Sequence, residues 1–358
     1  MLTNVQDALR KVRAGSLALA NSLGANNMLG ATAWRRQQLL ILCYHGVSLA
    51  DEHEWSDLYV SPGHLERRLQ LLRRAGATVL PLDTALSLLQ QNALPERAVA
   101  LTFDDGAADY SIRAAPILAD ASVHATLYLT TYYCGRRQPV FDTIASYLLW
   151  KARERTVRLP GLGETVTIPA TTADPAFAAM HNRVRSYALA QHFDADEKHR
   201  FARQIAEAVG QDFDALVEMR LLQLMTPPEV AALDSRTTSV QLHTHRHRTP
   251  RDRDLFLREI DDNAAIIRAL RGDRDSLNHF CYPSGDYVDA YGEWLRSRGV
   301  SWATTCDPGL ATAASDPMFL PRFVDTEPVS EATFLAWVSG LSNFAFARRR
   351  TTPVRLGP

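Results

Sequence analysis

Short apolar runs, alternating with stretches of helical periodicity, constrain this 358-residue chain more than any other feature. The runs lie at 39–44, 78–80, 98–101, 125–129, 238–242, 278–282 and 301–305. Between them, 62–75 carries Leu65, Leu69 and Leu72 at helical spacing, and 82–91, 112–121, 254–270 and 288–298 also read as helices. Such alternation predicts an α/β architecture, with a parallel sheet closed or nearly closed into a barrel. Chemistry is then expected at the carboxyl ends of the strands. Residues 136–225 break the pattern with a helix at 141–152, a hairpin around Val157–Ile168 and charged helices over 175–219. That is too long for a loop and predicts an inserted cap.

The strand at 98–101 runs into Thr102-Phe103-Asp104-Asp105-Gly106. Neighbouring strand side chains point to opposite faces, so both acids reach one cavity only if the chain bends, which Gly106 permits. A second segment, His243-Thr244-His245-Arg246-His247, follows the strand at 238–242. Imidazoles at i and i+4 are expected to converge on one helical turn, where neutral nitrogens and a carboxylate such as Asp105 suit a divalent metal. Three protein ligands leave a position open for water, as in a catalytic zinc site. No Glu separates the histidines as in His-Glu-x-x-His. His245 is read as pointing away, with a swap with a neighbour left open. Either motif alone reads more readily as a solvated turn or a histidine cluster; together they argue for a mononuclear metal-dependent amide or ester hydrolase.

A third segment, Phe280-Cys281-Tyr282-Pro283-Ser284-Gly285-Asp286-Tyr287, has the form of a strand entering a rigid turn. In order and type the three segments resemble those of the polysaccharide deacetylase family, the NodB-homology carbohydrate esterases, over residues 38–326. That family carries Thr-Phe-Asp-Asp-Gly, His-Ser/Thr-x-x-His and Arg-x-Pro-x-Gly. The resemblance implies a distorted seven-stranded (β/α) barrel with a large, mainly helical insertion. It implies Asp104 as catalytic base, and Asp105, His243 and His247 as ligands of a divalent metal, Zn2+ foremost. It also makes Tyr282, Pro283, Ser284 and Gly285 the substrate-binding turn, with Tyr282 as a pocket wall or as strand packing and the Ser284 N–H as oxyanion donor.

Two departures matter. Cys281 occupies the family's arginine position, and Arg322 in Leu320-Pro321-Arg322-Phe323 resembles the substitute arginine of related deacetylases, with a surface role as the alternative. The family's carboxy-terminal Leu-His motif is missing, since the last histidine is His279. His45, ending the apolar run at 39–44, resembles the Tyr-His segment of circularly permuted deacetylases and is the expected general acid. Asp307 and Asp325 are its candidate partners.

The expected division is an N-terminal helical extension at 1–35, a barrel at 36–330 with its cap at 136–225, and a C-terminal helix and basic tail at 331–358. A net charge of −1 gives no reason to expect a nucleic-acid partner. Four scattered cysteines suggest reduced thiols. Asn21, Asn26 and Asn27 interrupt any secretory core, and no apolar run reaches the roughly 18 residues of a membrane span. The expected setting is cytoplasmic, with peripheral contact at the inner membrane face left open by apolar segments beside Arg348-Arg349-Arg350. The expected activity is N-deacetylation of an N-acetylated sugar in a surface-glycan precursor. The alternatives are hydrolysis of a non-carbohydrate amide or formamide, and a silent sugar-binding module. The sequence leaves the oligomeric state open.

Overall fold

The computed structural model describes residues 25–345. The sequence-based readings for 1–24 and for the basic tail at 346–358 lie outside the described residues. Among the described residues there are thirteen strands: β1 Gln38–Tyr44, β2 Gly46–Val47, β3 Tyr59–Val60, β4 Thr78–Val79, β5 Ala98–Phe103, β6 Ala125–Leu129, β7 Thr156–Arg158, β8 Thr165–Thr167, β9 Thr238–Leu242, β10 His279–Cys281, β11 Trp302–Thr304, β12 Ala311–Thr312 and β13 Phe323–Val324. The main sheet runs β11-β10-β9-β6-β5-β1, and β13 pairs in parallel with β1. Its neighbours along this path are parallel, with β12 the antiparallel partner at the start of β1.

The segment ending in β13 curls the sheet back on itself. Leu320 bridges in parallel to Thr304 of β11, and three residues later Phe323 stands opposite Leu42 of β1. Arg322 therefore lies on the piece of chain that spans the two ends of the sheet.

Strand parity sorts the core. Leu39, Ile41, Ala98, Ala100, Tyr128, Cys281 and Leu320 share one apolar cluster, while Leu40, Leu42, Val99, Leu101, Phe103, Leu127, Val240 and Phe280 pack in another with the surrounding helices. The first set lines the inside of the curled sheet and the second its outer face, as period-two alternation requires. Burial on both faces explains why β1, β5 and β6 read as continuous apolar runs.

The expected helices form at Pro62–Arg74, Leu82–Gln90, Arg253–Arg271 and Ala290–Arg296, and the element expected at 112–121 is a π-helical turn at Tyr110–Ala114 leading into Ala115–Asp120. The insertion holds the helices Phe141–Lys151, Pro175–Ala190, Ala195–Ala208 and Phe213–Glu218 and the β7–β8 hairpin. It has its own core, including Leu148, Val184, Phe201, Ile205 and Leu221, into which Trp55 from outside the insertion is packed. Past β13, the helix Glu331–Ser339 buries Phe334 and Trp337 against the barrel.

Candidate active site

Parity on three strands delivers the site. Continuing Leu39, Ile41, Cys43 along β1 brings His45 to the inner rim; Ala98, Ala100, Thr102 along β5 leads to Asp104; Ser239 and Gln241 along β9 lead to His243. All three lie just beyond the carboxyl ends of their strands.

Asp104 and Arg322 form its buried floor. The guanidinium donates Nη1–H to Oδ1 and Nη2–H to Oδ2, both at 2.7 Å, and its own geometry is set by Nε–H to the Thr305 carbonyl (2.8 Å) and Nη1–H to Thr102 Oγ1 (3.0 Å). Arg322 is fully buried and Asp104 is 2% exposed, which rules out the surface role for the arginine. Burial alone would raise the Asp104 pKa, but the Arg322 guanidinium overrides it and holds the carboxyl well below the usual range. Cys281 and Cys43 place their thiols 3.4 and 3.6 Å from Asp104 Oδ2, and burial pushes both thiols up, keeping them protonated as weak donors.

Above this floor, Asp105 Oδ1 lies 3.1 Å from His243 Nε2 and 3.1 Å from His247 Nε2. The convergence is not helical, as the spacing had suggested. Thr244 at φ +62° and His247 at φ +53° turn a loop back on itself, and Asp105 at φ +72° turns the opposite side towards it. Non-glycine residues held left-handed cost of order 1–3 kcal/mol each and persist where the surroundings over-determine them. Gly106, at φ +82°, has no such choice: a Cβ there would lie 2.2 Å from Leu129 Cδ1.

The three donors fit a divalent metal. The Cys281 carbonyl lies 2.9 Å from His243 Nδ1, an acceptor that holds the proton on Nδ1 and leaves the Nε2 lone pair facing Asp105. Imidazole nitrogen with carboxylate oxygen is a donor set for zinc and its neighbours. Burial would lower the His247 pKa, but the Asp105 carboxylate raises it; burial would raise that of Asp105, but His247 and His243 draw it down. His245 points away, with Nδ1 2.9 Å from Thr131 Oγ1.

Two residues that shape this loop were missed in the sequence. Asn263 accepts the His243 N–H (3.0 Å) and donates to the Leu129 carbonyl (2.9 Å) and Thr131 Oγ1 (3.0 Å). Glu259 accepts from the Arg246 N–H at 2.7 Å and from Arg248 Nε at 2.7 Å, while its carbonyl takes the His245 N–H. Their signal was present: two buried polar side chains four residues apart, interrupting the apolar stripe Phe256, Ile260, Ala264, Ile267 of the helix Arg253–Arg271.

His45 Nε2 stands 3.8 Å from Asp104 Oδ2. Neither candidate partner acid reaches it by hydrogen bond. Asp325 is held by Arg68 (2.8 and 3.1 Å) and the Tyr44 hydroxyl (2.9 Å), on the outer side of β1, and Asp307 accepts from the Tyr287 hydroxyl at 2.5 Å. The turn 283–285 follows β10, with Pro283 buried and Ser284 exposed at φ +58°. Gly285 sits where a Cβ would press on Cys306 Cβ at 3.2 Å. Tyr282 is corrected: parity after inward Cys281 sends its ring outward, where it is fully buried among Phe280, Tyr287, Tyr291 and Phe319 with its hydroxyl donating to the Met318 carbonyl at 3.0 Å. It packs the turn from behind and is not a pocket wall.

A family model described as polysaccharide deacetylase matches residues 91–168, the stretch that carries Asp104 and Asp105. The fold is similar to that of deacetylase PplD of Streptococcus pyogenes, solved in complex with acetate (TM-score 0.55, 19% identity, covering 84% of this chain and 98% of that one). It is also similar to IcaB from Ammonifex degensii (TM-score 0.52, 17% identity, 85% and 97%) and a de-N-acetylase from Aggregatibacter actinomycetemcomitans (TM-score 0.52, 13% identity, 84% and 99%). No curated protein matches the sequence. The fold and site define a NodB-type (β/α) barrel. Within that fold, residues 91–168 are similar to the polysaccharide deacetylase family.

Proposed function

We propose that this protein is a metal-dependent carbohydrate N-deacetylase, hydrolysing the acetamide of an N-acetylated sugar to acetate and a free amine. The observation that carries this reading is the Asp104–Arg322 clamp lying directly beneath the Asp105–His243–His247 donor set. The family-model match over 91–168 and the deacetylases of like fold support the substrate class.

Asp105, His243 and His247 would hold the metal, with Zn2+ best matched to the donors; bound there, it supplies Lewis-acid polarisation of the acetyl carbonyl and of water. Asp104, kept ionised and aimed by Arg322, accepts the proton of the attacking water. The Ser284 N–H, on a turn fixed by Pro283 and Gly285, donates to the oxyanion of the tetrahedral intermediate. His45, protonated, delivers its proton to the departing nitrogen, without which an amide anion would have to leave. The barrel at 36–330 would carry this chemistry and the insertion at 136–225 would cap it.

The finer reading is a surface-glycan precursor handled in the cytoplasm. All four cysteines are free and three are buried, which suits a reducing compartment. No helix among the described residues is long and apolar enough to cross a membrane. The test is a release assay on metal-loaded enzyme with N-acetylated free, nucleotide-linked and lipid-linked sugars. Acetate release from any of them supports the reading; formate or ammonia from a non-carbohydrate amide, or no release at all, overturns it.

A further inference from the structure

The orientation of His45 has to come from its backbone. Its Nδ1 is buried with no hydrogen-bond partner among the described residues, and its Nε2 faces Asp104 at 3.8 Å. With no hydrogen bond at Nδ1 and only this 3.8 Å ionic contact at Nε2, the ring depends for its aim on the loop that carries it.

That loop, 46–60, is fastened at two places. At its base it folds back so that β2 and β3 lie side by side, with the Gly46 N–H donating to the Leu58 carbonyl (3.1 Å) and the Ser48 N–H to the Val60 carbonyl (2.9 Å). Tyr59 packs directly on Gly46, where a Cβ would lie 2.2 Å from its ring. Buried Asp109 takes the Val47 N–H at 3.2 Å. At its tip the loop enters the insertion. Trp55 belongs to the insertion's core, set edge-on to Tyr147 at 5.6 Å, with Nε1–H donating to Ser146 Oγ at 3.2 Å. Asp51 accepts from the Tyr147 hydroxyl (2.5 Å) and from Lys151 Nζ (2.8 Å), and the Thr172 hydroxyl donates to the Trp55 carbonyl at 3.4 Å. Leu49 and Tyr59 pack against the same core.

We infer that the insertion is a positioning element for the proton donor: through Trp55 and Asp51 it holds the 46–60 loop, and through that loop it sets the place of His45 over Asp104. This deepens the proposed deacetylase reading, on which the role of His45 rests. Trp55 and Asp51 are positioning residues and touch neither substrate nor the reacting atoms.

The experiment uses the full-length, metal-loaded protein with histidine ring nitrogens labelled for NMR, the His45 signal being assigned by its loss in His45→Gln. In Trp55→Ala the His45 resonance is expected to shift or broaden while those of His243 and His247 and the metal content stay as in the wild type. Trp55→Phe, which keeps the packing, is expected to restore it. Lys151→Met, a change made in the insertion itself and at a half-exposed site that does not endanger folding, is expected to perturb the same resonance. In turnover, Trp55→Ala is expected to lose about tenfold in kcat with little change in KM, and to move the alkaline limb of the pH profile, which a general loss of folded protein would not do. A His45 resonance unchanged in both Trp55→Ala and Lys151→Met overturns the inference whatever the activity. A wild-type protein without deacetylase activity, but with His45 perturbed in both variants, refutes the functional reading and leaves the mechanical coupling standing.

Discussion

Arg322 and Asp104 meet through two parallel N–H···O bonds of 2.7 Å across a sequence separation of 218 residues, with both side chains buried. Each needs the other. The carboxylate depends on the guanidinium to remain ionised out of water, and the guanidinium has no other carboxylate within ion-pairing distance among the described residues. Truncating one partner strands the other, a loss of about 3–5 kcal/mol for a buried pair.

Arg322→Gln is accordingly expected to lower stability by about that amount in denaturant unfolding. It is also expected to move the acid limb of kcat/KM towards higher pH, because Asp104, still buried, loses the cation that depresses its pKa. The sign on stability follows from the same shift. A depressed carboxyl contributes stability above its unfolded value of about 3.9 and loses it as pH falls further, so the wild type should lose this contribution only in acid and the variant should lack it throughout. An acid limb in the same place in both proteins would take the clamp out of catalysis.

Asp105→Ala, His243→Ala and His247→Ala should each lower bound metal and activity together, whereas Asp104→Asn should keep metal and lose turnover. Elemental analysis after dialysis separates the two groups, and full occupancy in both histidine variants would sink the site. Because protons compete with metal for imidazole, retention should also fall with pH, starting higher than for an unperturbed histidine since Asp105 raises the His247 pKa.

Asn263→Ala removes no ligand, yet it leaves the buried His243 N–H without its acceptor. The expected cost is about 1–3 kcal/mol in stability and about 10- to 100-fold in metal affinity, the range for residues that orient a ligand. Competition with a chromophoric chelator reads the affinity. Wild-type affinity would show that the loop holds its shape without the helix beneath it.

His45→Ala should reduce turnover by about 10²- to 10⁴-fold with metal retained, and the alkaline limb, which reports deprotonation of the acid, should vanish. Wild-type turnover with an intact alkaline limb would reopen the search for the proton donor.

Much of this site was legible because strands alternate. Counting by twos from Leu39, Ala98 and Ser239 arrives at His45, Asp104 and His243, and the same count applied to β10 would have sent Tyr282 outward beside inward Cys281. Of the two readings of Tyr282, that alternation selects strand packing over the pocket wall. Arg322 was found by motif alone: β13 is two residues long, too short for any periodicity, and its place is set by pairing with Leu42 and Cys43, far away in sequence. The loop geometry at 243–247 was illegible for another reason. Left-handed Thr244 leaves no compositional trace, since a β-branched residue disfavours that conformation, and His247, a type that visits it more often, does so too rarely for its identity to announce the turn. The paired strands β2 and β3 were likewise too short to read.

The segment that curls the sheet shut is also among the last of the barrel to be synthesised. Until residues 320–324 leave the ribosome and dock between β11 and β1, a nascent chain holds Asp104 with no arginine to pair it. Contacts spanning so much of the chain form late and slowly. A polypeptide stopped short of Arg322 would therefore carry all three proposed metal ligands and still lack the guanidinium that pairs Asp104, so the site is completed by the segment that closes the sheet and not by the motifs that announce it.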